Sequence, residues 1–474
     1  MSSVANAVET LRLATTREPI SRLAKAFAAA GFELALVGGP VRDAFLERPV
    51  NDFDFTTSAM PDEIEKIVKP LASATWDVGR DFGTIAAQLG DFRVEITTYR
   101  ADSYDGTSRK PEVIFGDSLE ADLFRRDFTM NAMALTLPEL KLVDPCGGLA
   151  DLLAGVLKTP IAPEESFNDD PLRMMRAARF ASQIGASVEA STLQAMTDMA
   201  GRIEDVSAER VRDELLRMLA SDDPRPGLEI LVETGLAERV LPELPALKLE
   251  TDEHAHHKDV YQHTLTVLDQ AIAEEKLRNP GAQADVTLRL AALLHDIGKP
   301  ATRRFEAGGT VTFYHHDVVG AKLATKRLKA LRLDKETITA VATLIELHLR
   351  FFGYADAAWS DSAVRRYVRD AGAQLDRLHI VVRADVTTRN KRKADRLSFA
   401  YDDLENRIAE LAEQEQLQAM RPDLDGEEIM KILGIGPGRD VGQAYRFLLE
   451  VRLDEGEIGA EAATQRLLEW WAAR

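Results

Sequence analysis

The chain has 474 residues, of which 45% are hydrophobic and 29% charged, and it carries a formal net charge of −19 and a single cysteine. This length allows about two to four domains, and the composition is ordinary for a globular protein. The one cysteine, Cys146, excludes a disulfide framework and favours a reducing cytosol.

The N-terminal sequence, the hydropathy and the charge distribution limit the cellular location and the kinds of partner that we expect. No basic and apolar leader precedes the first helix signals, and no uncharged apolar run approaches the roughly 20 residues that span a bilayer. We therefore expect a cytoplasmic protein with no membrane partner. The acidic balance argues against a nucleic-acid partner, but residues 401–474 alone hold 17 Asp and Glu against 8 Arg and Lys, a net charge of −9. Basic clusters remain elsewhere, as in RNKRKADR (389–396).

Strand signals are confined to residues 20–145. Short segments, often β-branched and bounded by Gly or Asp, predict strands at LALVGG (34–39), FDFTT (53–57), GTIAAQL (83–89) and RVEITTY (93–99). Helical periodicity dominates the rest of the chain, and Ser207 is predicted to cap a helix. We expect a break near 240–258, which is rich in Pro and charge, and another near 395–425.

The stretch LVGGPVRDAFLERPVNDFDFTT (36–57) contains the first candidate site. Side chains two apart in a strand share a face, so Asp52 and Asp54 project together. Two like charges this close are costly unless a cation neutralises them, which predicts a site for divalent metals. Glu95, in VEITTYR, is a candidate third carboxylate.

Two glycines precede these carboxylates. Gly38-Gly39-Pro40 ends an apolar strand and opens a predicted helix, where backbone can approach a phosphate closely. Arg42 adds a cation beside it. This set suits the transfer of a nucleoside monophosphate to a hydroxyl, and neither a Walker loop nor a G-x-G-x-x-G fingerprint is present.

Two arginine-rich stretches follow, RRDFTMNAMAL (125–135) and DDPLRMMRAARF (169–180). Asp170 and Arg173 lie one helical turn apart and offer an acceptor beside a donor. Cytosine and adenine both present an amino donor beside a ring-nitrogen acceptor, whereas guanine and uracil have the reverse pattern. The pair therefore predicts selection of cytosine and adenine. The alternative interpretation of this arginine row is a solvated basic helix face.

Together these stretches resemble the class II template-independent RNA nucleotidyltransferases, the group of CCA-adding tRNA nucleotidyltransferases and bacterial poly(A) polymerases. The resemblance implies Mg²⁺ at Asp52 and Asp54, with Glu95 as the third catalytic carboxylate. It also implies a nucleotide site, whose residues would be Gly39, Arg42, Arg126, Asp170, Arg173, Arg176 and Arg179.

All nine histidines fall between residues 254 and 379. Their order with the carboxylates, H…HD…H…H…D, resembles the HD phosphohydrolase superfamily. The resemblance implies a divalent transition metal or Mg²⁺ held by His263, His295, Asp296 and Asp385, with His316 and His348 completing a second metal. His254, His256, His257, His315 and His379 are expected at the surface or behind the ligands.

We therefore predict an α+β protein in which a polymerase-β-like head with a small mixed sheet precedes all-helical domains. The expected domains are a nucleotidyltransferase head at 1–150, a helical neck at 151–245, an HD domain at 250–398 and an acidic helical tail at 399–474. The expected activity is addition of CCA to tRNA 3′ ends from CTP and ATP. CCA addition is favoured because Arg80-Asp81 stands before Phe82, where poly(A) polymerases usually have two basic residues.

Two alternatives remain at this point. The first is a poly(A) polymerase acting on RNA 3′ ends. The second is an HD-type metal phosphohydrolase whose head senses nucleotides.

Overall fold

The computed structural model describes residues 3–50, 53–80, 83–101, 114–116, 118–248, 259–306, 311–351, 353–354, 359–387, 390–415 and 421–474. The chain forms two compact units, residues 1–240 and 241–474. Among the described helices, none combines the length and apolar character needed to cross a membrane.

The first unit contains the main sheet and a series of helices. Its helices are α1 (Ser3–Thr16), α2 (Ile20–Ala29), α3 (Gly39–Phe45), α4 (Pro61–Val68), α5 (Leu119–Phe124), α6 (Gly148–Ala154), α7 (Pro163–Asp169), α8 (Leu172–Ile184), α9 (Ala190–Met199), α10 (Ala208–Leu219), α11 (Arg225–Glu233) and α12 (Ala237–Val240). Its strands are β1 (Leu34–Val37), β2 (Phe53–Thr57), β3 (Ala74–Gly79), β4 (Thr84–Leu89), β5 (Phe92–Thr98), β6 (Arg100–Ala101), β7 (Ile114–Phe115), β8 (Ala134–Leu137), β9 (Leu142–Val143), β10 (Val156–Leu157) and β11 (Ser187–Val188).

The second unit is almost entirely helical. Its elements are α13 (Val260–Arg278), α14 (Val286–Leu294), α15 (Lys299–Thr302), β12 (Arg304–Phe305), β13 (Val311–Thr312), α16 (His316–Ala330), α17 (Lys335–Leu347), α18 (Asp361–Ala371), α19 (Leu375–Ala384), α20 (Lys391–Glu415), α21 (Gly426–Leu433), α22 (Arg439–Glu455) and α23 (Ala460–Ala472). The predicted α+β class, with a small mixed sheet followed by helices, is confirmed.

The main sheet has the strand order β3-β4-β5-β2-β1-β8-β9. Strands β2 and β5 are parallel, and the other neighbouring pairs are antiparallel. All four residues of β1 are buried, as expected for a central strand. In β2 the pleat turns Phe53 and Phe55 into the core and leaves Asp54 exposed on the opposite face.

The four predicted strands are confirmed as β1, β2, β4 and β5. Ser207 is also confirmed as a helix cap, since its Oγ accepts from the backbone N–H of Arg210 at the start of α10. The domain boundaries stay predictions, although α20 runs through the expected junction at 398/399. Residues 421–474 have their own small core, whose buried members are Leu424, Ile429, Ala444, Leu448, Ala463 and Leu467.

Candidate active site and metal centre

The head carboxylates are aligned by strand register. Asp54 on β2 lies opposite Glu95 on β5 in the parallel ladder, so both side chains leave the same face of the sheet, roughly 5 Å apart at the backbone. Asp54 is exposed and Glu95 is partly exposed, with the Arg93 guanidinium 3.2 Å from the Glu95 carboxylate. Asp52 lies outside the described residues. An open pair of carboxylates on one face is a donor set that suits Mg²⁺.

Gly38 and Gly39 connect β1 to α3 beside this face. Gly38 has a φ of 75°, and a Cβ there would lie 3.1 Å from the Arg126 guanidinium, so a larger residue would be strained and crowded. Arg42 donates to the Asn131 side-chain oxygen over 2.8 Å and to Asp43. Arg126 donates to the buried Asp122 carboxylate over 3.2 Å. The two guanidinium groups are therefore held in place next to the glycine turn.

Asp127 pairs with an arginine in the second turn of the arginine-rich helix α8. Its carboxylate accepts from the Phe128 N–H and the Asn131 amide and lies 2.7 Å from the Arg176 guanidinium. Burial opposes ionisation, but Arg176 and these hydrogen bonds hold the pKa of Asp127 below its usual value. Asp127 therefore remains a carboxylate and fixes Arg176.

Two further residues of the predicted nucleotide site, Asp170 and Arg173, make separate contacts. The Asp170 carboxylate accepts from Arg210 over 2.8 Å and from the Leu172 N–H over 3.2 Å. Arg173 donates to the Ser166 hydroxyl over 2.7 Å and to the Arg125 carbonyl over 2.6 Å.

Arg179 differs from the preceding arginines in being buried. Its Nε donates to Glu214 over 2.5 Å, and its guanidinium lies 4.0 Å from the Phe180 ring centroid. The structure thus brings Asp170, Arg173 and Arg176 to partly exposed positions and packs Arg179 inside.

The histidine cluster draws on five helices that are distant in sequence. His263 lies in α13, the His295-Asp296 pair follows α14, and His316 begins α16. His348 and Asp385 stand at the C-terminal ends of α17 and α19.

The six side chains form two groups of possible ligand atoms. His263, His295 and Asp385 form one group, in which the atoms lie within 4.8 Å of one another. The other group, with the same limit, contains Asp296, His316 and His348. Asp296 joins the two groups, because its carboxylate oxygens lie 3.2 Å from His295 Nε2 and 3.3 Å from His316 Nε2.

Three of these imidazoles are oriented by backbone carbonyl groups. The Nδ1 atoms of His295, His316 and His348 lie 2.8, 2.8 and 2.5 Å from the carbonyl oxygens three residues earlier. Each Nδ1 therefore carries a proton, and each Nε2 faces the cluster. Among the described residues these buried Nε2 atoms make no hydrogen bond of regular geometry, although Asp296 lies close to two of them, which fits a metal between the imidazoles and the carboxylate.

The cluster also shifts its own pKa values. Burial disfavours the charged form of His295, but the neighbouring Asp296 outweighs it and raises the pKa of His295 to about 10. Burial, with the charge on His295, lowers the pKa of His348 to about 4. Despite burial, the pKa values of Asp296 and Asp385 are lowered by the imidazoles. The two carboxylates thus stay ionised and suit a cation.

Sequence reasoning missed Lys299, whose Nζ lies 2.6 Å from the Asp296 carboxylate. The signal was its place three residues after Asp296 in HDIGK, one helical turn away. His379 was expected at the surface or behind the ligands; it is buried, 3.7 Å from the Glu405 carboxylate. His315 is exposed, and His254, His256 and His257 lie outside the described residues.

Models of three known protein families match this chain. Residues 34–158 match the poly A polymerase head domain, residues 185–247 match the probable RNA and SrmB-binding site of polymerase A, and residues 260–390 match the HD domain. The nucleotidyltransferase and HD domains both imply the use of divalent metals.

Two curated relatives show how far the similarity extends. An A-adding tRNA nucleotidyltransferase of Deinococcus radiodurans is 35% identical over 92% of this chain and 95% of its own length. A CCA-adding enzyme of Enterococcus faecalis is 39% identical over 48% of this chain and 58% of its own length. The chain thus spans nearly all of the first relative and little more than half of the second.

Solved structures support the same fold. The Bacillus stearothermophilus CCA-adding enzyme in complex with CTP superposes with a TM-score of 0.68 at 22% identity, covering 100% of this chain and 99% of that one. The Thermotoga maritima CCA-adding enzyme complexed with tRNA gives a TM-score of 0.62 at 20% identity, covering 98% of each chain. The chain belongs to the tRNA nucleotidyltransferase/poly(A) polymerase family and is a template-independent RNA nucleotidyltransferase with an HD domain.

Proposed function

We propose that this enzyme adds CCA to the 3′ ends of tRNA from CTP and ATP, releasing pyrophosphate. The observation that carries the proposal is the pairing of Asp54 with Glu95 on one open sheet face, next to the glycine turn and Arg42. The CCA-adding relatives and the complexes of similar folds with CTP and with tRNA support the same activity.

In this proposal Asp52, Asp54 and Glu95 hold Mg²⁺, which supplies activation of the attacking hydroxyl and neutralisation of the triphosphate when bound. The Gly39 backbone and the Arg42 and Arg126 guanidinium groups bind the triphosphate. Arg42 is held by Asn131 and Arg126 by Asp122, so these cations are ordered before the nucleotide arrives. No side chain needs to act as a strong general base.

Asp170 and Arg173 select the base, with Arg176 and Arg179 supporting the helix that carries them. A carboxylate has acceptor capacity beyond the two hydrogen bonds that Asp170 already receives, and a guanidinium has five donors, so both can still meet a base. Arg173 is anchored to Ser166 and to the Arg125 carbonyl, which fixes the donor geometry. A fixed pair can discriminate cytosine and adenine from guanine and uracil.

A second candidate function is addition of the terminal A alone. One observation favours it: the relative that matches along almost the whole chain is named as an A-adding enzyme. It differs from CCA addition in its substrates, because an enzyme that adds only the final A needs a tRNA that already ends in CC and uses ATP without CTP.

The deciding experiment uses two tRNA transcripts, one lacking CCA and one lacking only the final A. Each is incubated with purified protein, Mg²⁺ and CTP, ATP or both, and the 3′ ends are sequenced. Two C residues from CTP, and CCA from both nucleotides, would support CCA addition. Extension of only the CC-ended transcript would establish the A-adding alternative, and a long A tract would indicate a poly(A) polymerase.

We further propose that the HD domain hydrolyses phosphoesters with a divalent transition metal or Mg²⁺. The buried Nε2 atoms of His295, His316 and His348, which make no hydrogen bond of regular geometry, support metal binding, and His263, Asp296 and Asp385 complete the donor set. Such a cation, when bound, provides a nucleophilic water near neutral pH. Lys299, held on Asp296, lies within reach of a substrate anion.

Hydrolysis of bis(p-nitrophenyl) phosphate by the full chain with Mn²⁺ or Ni²⁺ tests this activity. We expect His348→Gln to remove turnover and the metal held by the group of Asp296, His316 and His348, so that elemental analysis finds less metal than in the parent, while nucleotidyl transfer persists. A metal content equal to that of the parent would exclude His348 as a ligand. The single cysteine supports placing both activities in the cytoplasm.

A further inference from the structure

The open face of the main sheet continues beyond the two carboxylates as a row of threonines. Two residues after each carboxylate stand Thr56 on β2 and Thr97 on β5, whose side chains share the carboxylate face. On β4, Thr84 pairs with Thr97, and the two hydroxyls lie 3.0 Å apart. The row begins roughly 7 Å along the strands from the carboxylates. This face therefore stays polar from the proposed metal site toward β4.

Three arginines lie close together near the end of this row. Asp122 of α5 is buried and accepts from the Thr56 hydroxyl and from the Arg100 backbone N–H, each over 3.2 Å. Its other partner is the Arg126 guanidinium. Burial, followed by the nearby charge of Arg125, lowers the pKa of Arg100, and Asp122 only partly opposes the shift. The positive charge here exceeds that of the Asp122 carboxylate, which favours binding of an anion.

The Arg100 side chain turns back toward the carboxylates. Its Nη2 donates to the Thr84 hydroxyl over 3.4 Å, so the guanidinium lies at β4. The strands of this part of the sheet have the order β1, β2, β5, β4. Across the face, the glycine turn after β1 is therefore followed by Asp54, by Glu95 and then by the Arg100 guanidinium. The carboxylate pair lies between the turn and this guanidinium.

The chemistry of nucleotidyl transfer gives this order a meaning. The attacking oxygen and the leaving pyrophosphate lie roughly in line, on opposite sides of the α-phosphate. The residues proposed for the triphosphate, Gly39, Arg42 and Arg126, lie on the β1 side of the carboxylates. The RNA end that supplies the attacking hydroxyl therefore approaches from the β4 side, where Arg100 presents a cation.

We propose that Arg100 binds the phosphate next to the RNA 3′ end and thereby positions the attacking hydroxyl. The inference rests on the proposed metal site at Asp54 and Glu95, and it adds a residue for the RNA strand. A guanidinium pairs with a phosphate through two parallel hydrogen bonds, and the Thr84 hydroxyl orients this one. A phosphate contact is independent of the base. It therefore suits an RNA whose terminal base changes as nucleotides are added.

The test compares RNA ends that carry or lack this charge. A tRNA ending in CC is assembled with an uncharged methylphosphonate at its last internucleotide linkage, or at one linkage of the anticodon loop as the control. Addition of A is measured with Mg²⁺ and ATP. For the parent protein, we expect the terminal substitution to raise the KM for tRNA roughly tenfold or more, and the control substitution to leave it nearly unchanged. Equal KM values for both RNAs would overturn the inference.

Variants assign the effect to the side chain. Arg100→Gln should raise the KM for tRNA by a similar factor, keep the KM for ATP and remove the response to the terminal methylphosphonate. It should also reduce the slope of log affinity for RNA against log salt by about 0.7, whereas Arg100→Lys should keep that slope. Arg22→Gln, at an exposed position of α2, is the matched control and should behave as the parent. A raised KM for ATP with an unchanged KM for tRNA would place Arg100 at the triphosphate and overturn the inference.

Binding separates this inference from the proposed function on which it rests. The affinity of the nucleotide-free protein for both RNAs, measured by fluorescence anisotropy, requires no transfer. If the parent extends no RNA, the proposed transfer fails, and the anisotropy still decides whether Arg100 contacts the terminal phosphate. The parent should lose affinity for the terminal methylphosphonate RNA, and Arg100→Gln should show no such loss. Equal losses in the two proteins would overturn the inference.

Discussion

The head and the histidine cluster of the HD domain arrange their carboxylates in opposite ways. In the head, Asp54 and Glu95 come from neighbouring strands and face outward on an open sheet. In the HD cluster, side chains from five helices meet inside the unit, and His295, Asp296 and His348 are fully or almost fully buried. The stability of the fold should depend little on the exposed carboxylates of the head. It should depend strongly on the buried side chains of the histidine cluster, because they are part of the core.

The largest expected effect follows from this contrast. Asp54→Asn should reduce nucleotidyl transfer by roughly a thousandfold or more, because it removes a proposed ligand of the catalytic metal. Its exposed position should leave the free energy of unfolding nearly unchanged. Nucleotide incorporation and urea denaturation measure the two effects. Asp91→Asn, at the exposed β4–β5 turn, is the control, and an active Asp54→Asn protein would remove the assignment.

Arg179 is an exception in the first unit, because its charged side chain is buried. Its ion pair with Glu214 is buried, so Arg179→Met should lower the free energy of unfolding by about 3–5 kcal/mol. Replacing both partners with Met should recover most of that loss. Arg217→Met, at an exposed position of α10, provides the comparison in chemical denaturation. A loss of nucleotide binding with unchanged stability would instead place Arg179 at the substrate.

These two sites also show what the sequence could and could not predict. β2 and β5 were predictable because their β-branched and aromatic residues alternate with polar ones, which also put Asp54 and Glu95 on a shared face. β3 and β8 were missed, although ATWDVG and ALTL also alternate apolar and polar residues, so the sequence carried a signal for both strands. The spacing Arg173, Arg176, Arg179 predicted a helical row, but a row that winds by about 60° per step gives each guanidinium different neighbours. Which of them is buried depends on α10, whose packing no local pattern reveals.

The histidine cluster was easier to predict than the arrangement of the arginines on α8. Imidazole and carboxylate side chains are common metal ligands, and they recur here in the order that HD domains show, so His263, His295, Asp296, His316, His348 and Asp385 were informative before any contact was known. His379 shows the limit of this reasoning. It lies in the same unit and is buried, yet it contacts Glu405 and the Tyr367 ring.

His379 allows the second unit to be tested through its pH dependence. Burial lowers the pKa of His379 to about 4 from 6.5, although Glu405 opposes the shift. Between pH 6.5 and about 4, the unfolded chain therefore binds a proton at this histidine that the folded chain does not bind. The free energy of unfolding consequently falls as the pH drops through this range. The contribution reaches up to about 3 kcal/mol.

We expect His379→Gln to reduce that acid sensitivity relative to the parent, with denaturation followed at several pH values between 6.5 and 4. His315→Gln, at an exposed position, should retain the parent's slope. Identical slopes in the parent and in His379→Gln would show that this histidine is not buried in its neutral form.

The smallest expected effect concerns selection of the nucleotide base by the first unit. Asp170→Asn should weaken discrimination of CTP and ATP against UTP and GTP by roughly 10–100-fold, since a charged hydrogen bond contributes about 1.5–3 kcal/mol. Stability should change little, because the Arg210 partner is mostly exposed. Misincorporation on a tRNA transcript measures the effect, with Asp169→Asn as the neighbouring control. Unchanged selectivity would show that Asp170 does not select the base.

The hydrogen bonds from His295, His316 and His348 to carbonyls one turn earlier have a further consequence for metal uptake. Each ring is locked in one rotamer and one tautomer by its own backbone, so folding has already removed the conformational freedom that ligand side chains ordinarily lose on coordination. An incoming ion therefore meets rigid donors rather than assembling them. Selectivity among ions should follow from the fixed spacing of the Nε2 atoms, as in a macrocyclic chelator, and exchange of one metal for another should be slow.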